Sequence, residues 1–285
     1  MSEHEFVRLE HWIYGATHEK GYGNKAMSRD LNVALYEHRL SSHFTPVRVE
    51  KTTNGDTVVD ARMVHPSAAT DELLLSILGR GPADEYNRPT IMNHTVIVPV
   101  RLLKSGLVTL SMVETAARDF DRVYPSAVGR VDPILVPLRS EPEAAMPFGD
   151  GVRRLISKPA MDTLATRLMT DHHGRTLLLV RGSSNVSRNE LLYKMIELLC
   201  FACDMPLFTC ISDAPTLSAM NHFRLAVSGR GVRADSSWML LDGSIDKEAL
   251  KHARSKGLIY DRIATAFEQR RTEERIPVGA VSLAP

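Results

Sequence analysis

Four residues in the N-terminal half have side chains that could act together on a small molecule: Tyr14, His18, Arg88 and His94. Tyr14 closes the aromatic stretch Trp12-Ile13-Tyr14, which runs into a polar loop relaxed by Gly15, Gly21 and Gly23 and carrying His18. Loops of this kind let backbone approach a ligand or partner closely. The second place is the turn Tyr86-Asn87-Arg88-Pro89, followed by Asn93-His94 at the mouth of the apolar run Thr95-Val96-Ile97-Val98. His94 is the group there that titrates near neutral pH, so it would serve as the acid–base or ligand residue. Arg88 would supply a planar fork for a carboxylate or phosphate. The four would form a hydrolase or transferase site only if they converge on one pocket. The competing reading of Asn93-His94, a buried hydrogen-bonded pair that orders the end of a sheet, carries somewhat more weight.

Other signals point to packing rather than chemistry. Cys200-Phe201-Ala202-Cys203 has the C-x-x-C spacing, with Cys210 and His222 downstream. A zinc site needs four converging ligands, whereas this pair falls on the apolar face of an amphipathic helix, where free cysteines are normally buried. Asp171-His172-His173 reads as a helix end complemented by its histidines, and His38 as a half-buried helix residue. No phosphate loop of the G-x-x-x-x-G-K-[ST] type occurs, nor G-x-G-x-x-G, H-E-x-x-H or G-x-S-x-G. Gly182-Ser183-Ser184, between a strand and a helix, stands where an anion cradle would. With Arg181, Arg188, Arg230 and Arg233 it makes nucleotide or nucleic-acid binding a third, lowest-ranked possibility. No cofactor and no metal are expected.

The chain has 285 residues, 35 basic against 34 acidic, with 44% hydrophobic and 24% charged residues. That is the balance of an ordinary globular protein, with no broad basic footprint for nucleic acid. The count of 3 cysteines excludes a disulfide framework. No apolar run approaches the ~20 residues of a membrane helix, and Met1–Glu5 lacks a leader pattern. The expectation is a reduced, cytoplasmic protein.

The elements that would hold these residues are read from periodicity. Phe6–Tyr14, Thr57–Val64, Thr90–Val100, Thr176–Val180, Leu207–Ile211, Phe223–Val227 and Trp238–Leu241 read as strands. Glu72–Leu78 fits strand or helix equally. Gly15–Lys25 reads as a loop, and Ser28 as the cap of a helix bearing Leu31, Ala34, Leu35 and His38. Ser111 with Glu114, and Ser187 with Glu190, read as capping boxes of two helices. Pro159 suits the first turn of another helix carrying Met161, Leu164, Ala165 and Leu168. Pro125–Pro159 is dense in proline and glycine and places a soft boundary near residue 148, between subdomains 1–148 and 149–285 that could equally form one compact unit. Within it Ile134-Leu135-Val136 reads as an edge strand or extended lid. Asp246 reads as the cap of a helix, Leu258–Arg271 as a second, highly charged one, and Ile276–Pro285 as a loose tail. The expected class is α/β to α+β, a mixed β-sheet covered by amphipathic helices.

Tyr14-Gly15, a glycine loop with Gly21-Tyr22-Gly23, Ser28, then Arg88-Pro89 leading to Asn93-His94 resemble the N-terminal domain of the GTPase-associated proteins of prokaryotic conflict systems. Pro206-Leu207-Phe208-Thr209 and His222-Phe223-Arg224-Leu225 are similar to a strand pair of that domain. The resemblance implies a component working beside a GTPase and other protein subunits in a defence assembly, not a GTPase itself. The expected function is therefore a non-enzymatic adaptor with protein partners and no membrane contact. Self-association is compatible with it, and the alternative is the hydrolase or transferase site around Tyr14, His18, Arg88 and His94.

Overall fold

The computed structural model describes residues 5–17, 21–32, 61–67, 71–81, 90–140, 160, 163–165, 167–168, 174–180, 185–202, 207–212, 223–229 and 238–242. Their strands are β1 (Phe6–Leu9), β2 (His11–Thr17), β3 (Gly21–Ser28), β4 (Arg62–Pro66), β5 (Glu72–Gly81), β6 (Thr90–Pro99), β7 (Gly129–Val131), β8 (Ile134–Pro137), β9 (Arg175–Leu179), β10 (Cys210–Ser212), β11 (Leu225–Ser228) and β12 (Trp238–Asp242). The helices are α1 (Val100–Lys104), α2 (Leu110–Val123) and α3 (Asn185–Ile196), the last running into a π-helical turn, Glu197–Ala202. A mixed sheet with helices against it is the α+β arrangement the sequence implied.

One sheet of 10 strands runs in the order β12-β9-β11-β10-β4-β5-β6-β2-β3-β7, and β1 pairs with β8 in a separate 2-stranded ribbon. Its character changes at a central seam, and again at one edge, where β7 joins β3 in parallel. From β4 to β3 every neighbour is antiparallel, while β12, β9, β11 and β10 are mutually parallel. The seam is the antiparallel pair β10–β4, with Cys210 opposite Val64 and Ser212 opposite Arg62. Strands from both sides of residue 148 therefore belong to the same sheet.

The ambiguous run Glu72–Leu78 is strand because it is buried on both faces. Leu73, Leu74 and Leu75 are each at most 1% exposed. Leu73, Leu75 and Ile77 enter a cluster with Val113 and Ala117 of α2 and Leu191, Leu192 and Leu199 of the α3 segment. Leu74 points the other way, to Trp12, Leu31 and Ile97. A strand covered twice loses its alternation and reads as continuous apolar sequence. Leu164, Ala165 and Leu168, in helical backbone, join the first cluster as their spacing predicted, with Ala160 beside them; Met161 lies outside the described residues.

Three local expectations are corrected. Gly15–Thr17 and Gly21–Lys25 are strand rather than loop: β2 continues through Thr17 and β3 begins at Gly21, with a register shift between Ile13 and Tyr14. Ser28 caps no helix; it ends β3, and its hydroxyl accepts from the His11 amide at 2.8 Å and donates to the His11 carbonyl at 3.1 Å. Helix α2 is capped not by Ser111 but by Thr109, whose hydroxyl accepts from the Met112 amide at 3.3 Å. Thr109→Ala is thus expected to cost about 1 kcal/mol in a urea titration, with Ser111→Ala nearly silent. The expected helices around His38 and beyond Asp246, and the tail, lie outside the described residues.

Candidate functional site

Of the four residues singled out above, His18 and Arg88 lie outside the described residues. The other two are not brought together. Antiparallel pairing sets Ile13 opposite His94 and Tyr14 opposite Asn93, and residues directly opposite share a face while neighbours alternate. Tyr14 accordingly packs half-buried against Trp12, Leu31, Leu74 and Ile97, whereas His94 is fully buried beneath α2. Asn93 and His94 do not form the expected pair for the same reason. Asn93 belongs to a polar row on the Tyr14 face, where Ser76 and Thr95 hydroxyls lie 2.8 Å apart and Thr95 donates to Asn93 Oδ1 at 3.4 Å.

His94 instead joins a chain of hydrogen bonds that nothing in the local sequence announces. His11 sits on the same face as Ile13, and the register places it diagonally across from His94. His11 Nδ1 and His94 Nε2 are 2.7 Å apart. His94 Nδ1 lies 2.9 Å from Asp121 Oδ1 of α2, and His11 Nε2 lies 2.9 Å from the carbonyl oxygen of Asp132, in the turn between β7 and β8. Phe120 closes the side of the chain, its ring centroid 4.6 Å from His11 and 5.8 Å from His94. Both imidazoles are wholly buried, while the Asp121 side chain keeps 20% exposure. Burial, and then the adjacent His94, lower the His11 pKa to about 4. An Asp–His pair serves catalysis when its second ring nitrogen faces a nucleophile or substrate. Here that nitrogen faces another buried imidazole, so the arrangement is closed.

A second buried network joins β4, α2 and α3. Arg62 is completely buried, and its Nε donates to Glu114 Oε1 at 2.8 Å. Its Nη2 stands 2.8 Å from the same oxygen as a charge contact, and Nη1 donates to the Ala61 carbonyl at 2.9 Å. Tyr193 of α3 donates to Glu114 Oε2 at 2.6 Å, and Arg118 to Oε1 at 2.7 Å. Burial first, and the Glu114 charge second, push the Tyr193 pKa well up, so the phenol remains a donor. Glu114, read from sequence as part of a cap, has been turned inward to serve this arginine.

The third polar site lies at the carboxyl ends of the parallel strands, where open α/β sheets commonly bind ligands. Asn189 of α3 accepts from Ser212 at the end of β10. The Arg188 guanidinium lies so close over Gly229 that a Cβ there would collide with it. Arg188 is 7% exposed. Arg181, Gly182, Arg230 and Arg233, the other members of the expected anion site, lie outside the described residues, as do His172, His173 and Cys203.

Cys200 and Cys210 are free thiols buried in the main core, and burial, with Cys200 beside it, raises the Cys210 pKa. Among the described residues, no group of 3 or more His, Cys, Asp or Glu is placed to hold a metal ion. Nor is any described helix long and apolar enough to cross a membrane. Comparison with protein-family models, with curated proteins and with solved structures finds no match to this chain.

Proposed function

We propose that the chain is a non-enzymatic interaction subunit of a multi-protein assembly, presenting the β1–β8 ribbon to its neighbours. The observation that carries this reading is the alternation along the ribbon. Val7, Leu9, Ile134 and Val136 enter the core, while Phe6, Arg8, Leu135 and Pro137 face outward. Phe6 is 47% and Leu135 55% exposed, and the register sets Phe6 opposite Pro137 and Leu135 opposite Arg8, which makes one stripe. Apolar side chains grouped on an exposed strand pair suit a protein contact better than water.

The interior favours the same reading. Among the described residues, His11, His94 and Asp121 are engaged with one another, as are Arg62 and Glu114, and Tyr14 and His94 are on opposite sheet faces. The hydrolase or transferase alternative, which requires Tyr14, His18, Arg88 and His94 around one pocket, therefore ranks second. The resemblance to GTPase-associated proteins of prokaryotic conflict systems supplies the partner class: a GTPase and companion subunits of a cytoplasmic defence assembly.

The test is native mass spectrometry of the tagged chain purified from its own cells, beside a Phe6→Glu, Leu135→Glu double variant. The expected result is a stoichiometric complex for the natural sequence. The double variant should lose it at least about tenfold, as an anchor worth 1.4 kcal/mol or more requires, with an unchanged melting temperature. A natural chain that is monomeric and carries no other protein overturns the reading.

A further inference from the structure

From the chain Asp121–His94–His11–Asp132 we infer a proton latch: one proton more than two neutral imidazoles carry is held between the rings, and it fastens the β7–β8 turn to β2. The argument is a count of hydrogen atoms against acceptors. Three contacts of 2.7 to 2.9 Å run through four ring positions in series. Both ends of the series, the Asp121 carboxylate and the Asp132 carbonyl, only accept. Each end therefore needs an N–H pointing at it, from His94 Nδ1 and from His11 Nε2. The 2.7 Å contact between the rings needs one more hydrogen. Two neutral imidazoles carry two ring hydrogens, one too few.

With only two, one contact sets lone pair against lone pair. Either His94 Nδ1 faces the carboxylate bare, or the two rings face each other bare across 2.7 Å, or His11 Nε2 faces the carbonyl bare. The third hydrogen makes all contacts good, and with Asp121 ionised the chain is then electrically neutral. The charge belongs on His94, whose Nδ1–H meets the carboxylate directly. His11 is the neutral partner, donating from Nε2 to the turn and accepting at Nδ1 from His94.

No other charged group among the described residues competes for this role. From β2 and β6 the groups are the two rings themselves, and from α2 Asp121 with the Phe120 ring. From the β7–β8 turn and the end of β3, Arg29 and Asp132 pair with each other at 3.3 Å with both side chains mostly exposed. Arg130 donates to the carbonyls of Ser28, Arg29 and Leu31, and Lys25 of β3 reaches the Pro125 carbonyl at 3.4 Å.

The direction of release follows. When the third hydrogen leaves, the carboxylate keeps its N–H, because a charge-assisted bond is the stronger one. The ring-to-ring contact, the shortest of the three at 2.7 Å, keeps a hydrogen as well: His94 Nε2 becomes the acceptor, His11 turns over its tautomer, and the bare Nε2 confronts the Asp132 carbonyl. The contact that opens is thus the turn joining sheet-edge strand β7 to ribbon strand β8, not helix α2. The latch stands whether or not the ribbon docks another protein.

Long-range nitrogen–proton NMR of the histidine rings at pH 7 tests it, with amide hydrogen exchange alongside. The expected spectrum has both nitrogens of His94 protonated and His11 protonated at Nε2 alone. In Asp121→Asn, whose amide oxygen still accepts but carries no charge, the third ring proton should be absent at the same pH. Amides of residues 129–134 should then lose about tenfold in protection, the weight of one hydrogen bond, while those of β5 hold. Asp132→Ala, which keeps the carbonyl and removes only the exposed ion pair, should leave the rings unchanged. Two ring protons in the natural chain at pH 7 overturn the inference by themselves, whatever becomes of the variants. So does a third proton accompanied by no change in the turn when Asp121 is neutralised.

Discussion

Glu114→Leu is expected to lower the unfolding free energy by about 3–5 kcal/mol. Arg62 is completely buried on β4, and the Glu114 carboxylate meets its guanidinium at 2.8 Å through both Nε and Nη2. Without it a buried cation loses this carboxylate, and breaking a buried pair by removing one member costs far more than the pair is worth. The Tyr193 phenol loses its acceptor at the same time, adding about 1 kcal/mol. The double change Arg62→Met, Glu114→Leu should recover most of the loss, since matched apolar side chains of similar volume replace such pairs at little cost. Urea titrations of the three chains decide it. A single variant that loses less than about 1 kcal/mol would mean that water reaches Arg62, as at exposed pairs.

Acidification should weaken the fold through His11. Its pKa is lowered to about 4 in the folded chain against about 6.5 when unfolded. The unfolded chain therefore binds more protons between those values, and stability rises with pH across the interval. The contribution is complete above pH 6.5 and disappears as pH falls through about 4; a displacement of this size corresponds to about 3 kcal/mol. The physical cause is burial together with a second positive charge 2.7 Å from the first. Carboxylates elsewhere add their own acid dependence, so the readout is a difference. His11→Gln can still accept from His94 and donate to Asp132 without titrating. Its stability between pH 7 and 4 should fall by less than that of the natural chain, by about the amount stated. Parallel profiles would show that His11 is not the acid-labile group.

What could be read from sequence divides by distance along the chain. Helix α2 and the apolar strands β6, β9 and β12 were legible because their signals, spacing and a proline or cap nearby, are local. The hydroxyl of Ser28 was misassigned because a helix cap and a strand-to-strand tie use the same chemistry; the tie to His11 spans 17 positions. The glycines at 15, 21 and 23 suggested a loop, yet the irregular β2–β3 pairing takes them in, and glycine in strands often accompanies such irregularities. His94 was picked out by its position at a strand mouth. Its partners could not be, since His11 is 83 residues away and Asp121 is one acidic residue among several on a helix. Arg62 and Glu114, 52 residues apart, gave no sign of meeting, and Glu114 was read as half of a capping box. Polar residues that meet only through tertiary packing leave no period in the sequence.

The seam between β4 and β10 bears on how the chain acquires its structure during synthesis. Hairpin neighbours β2–β3, β4–β5 and β5–β6 join segments close in sequence and can form early. The second partner of β4 arrives only when residues 210–212 have emerged. Until then a nascent polypeptide holds a sheet edge, Arg62–Pro66, with the peptide groups on its β10 side unclaimed, the kind of template on which strands of other molecules add. Release of a fragment ending near residue 148 would freeze that hazardous stage in place.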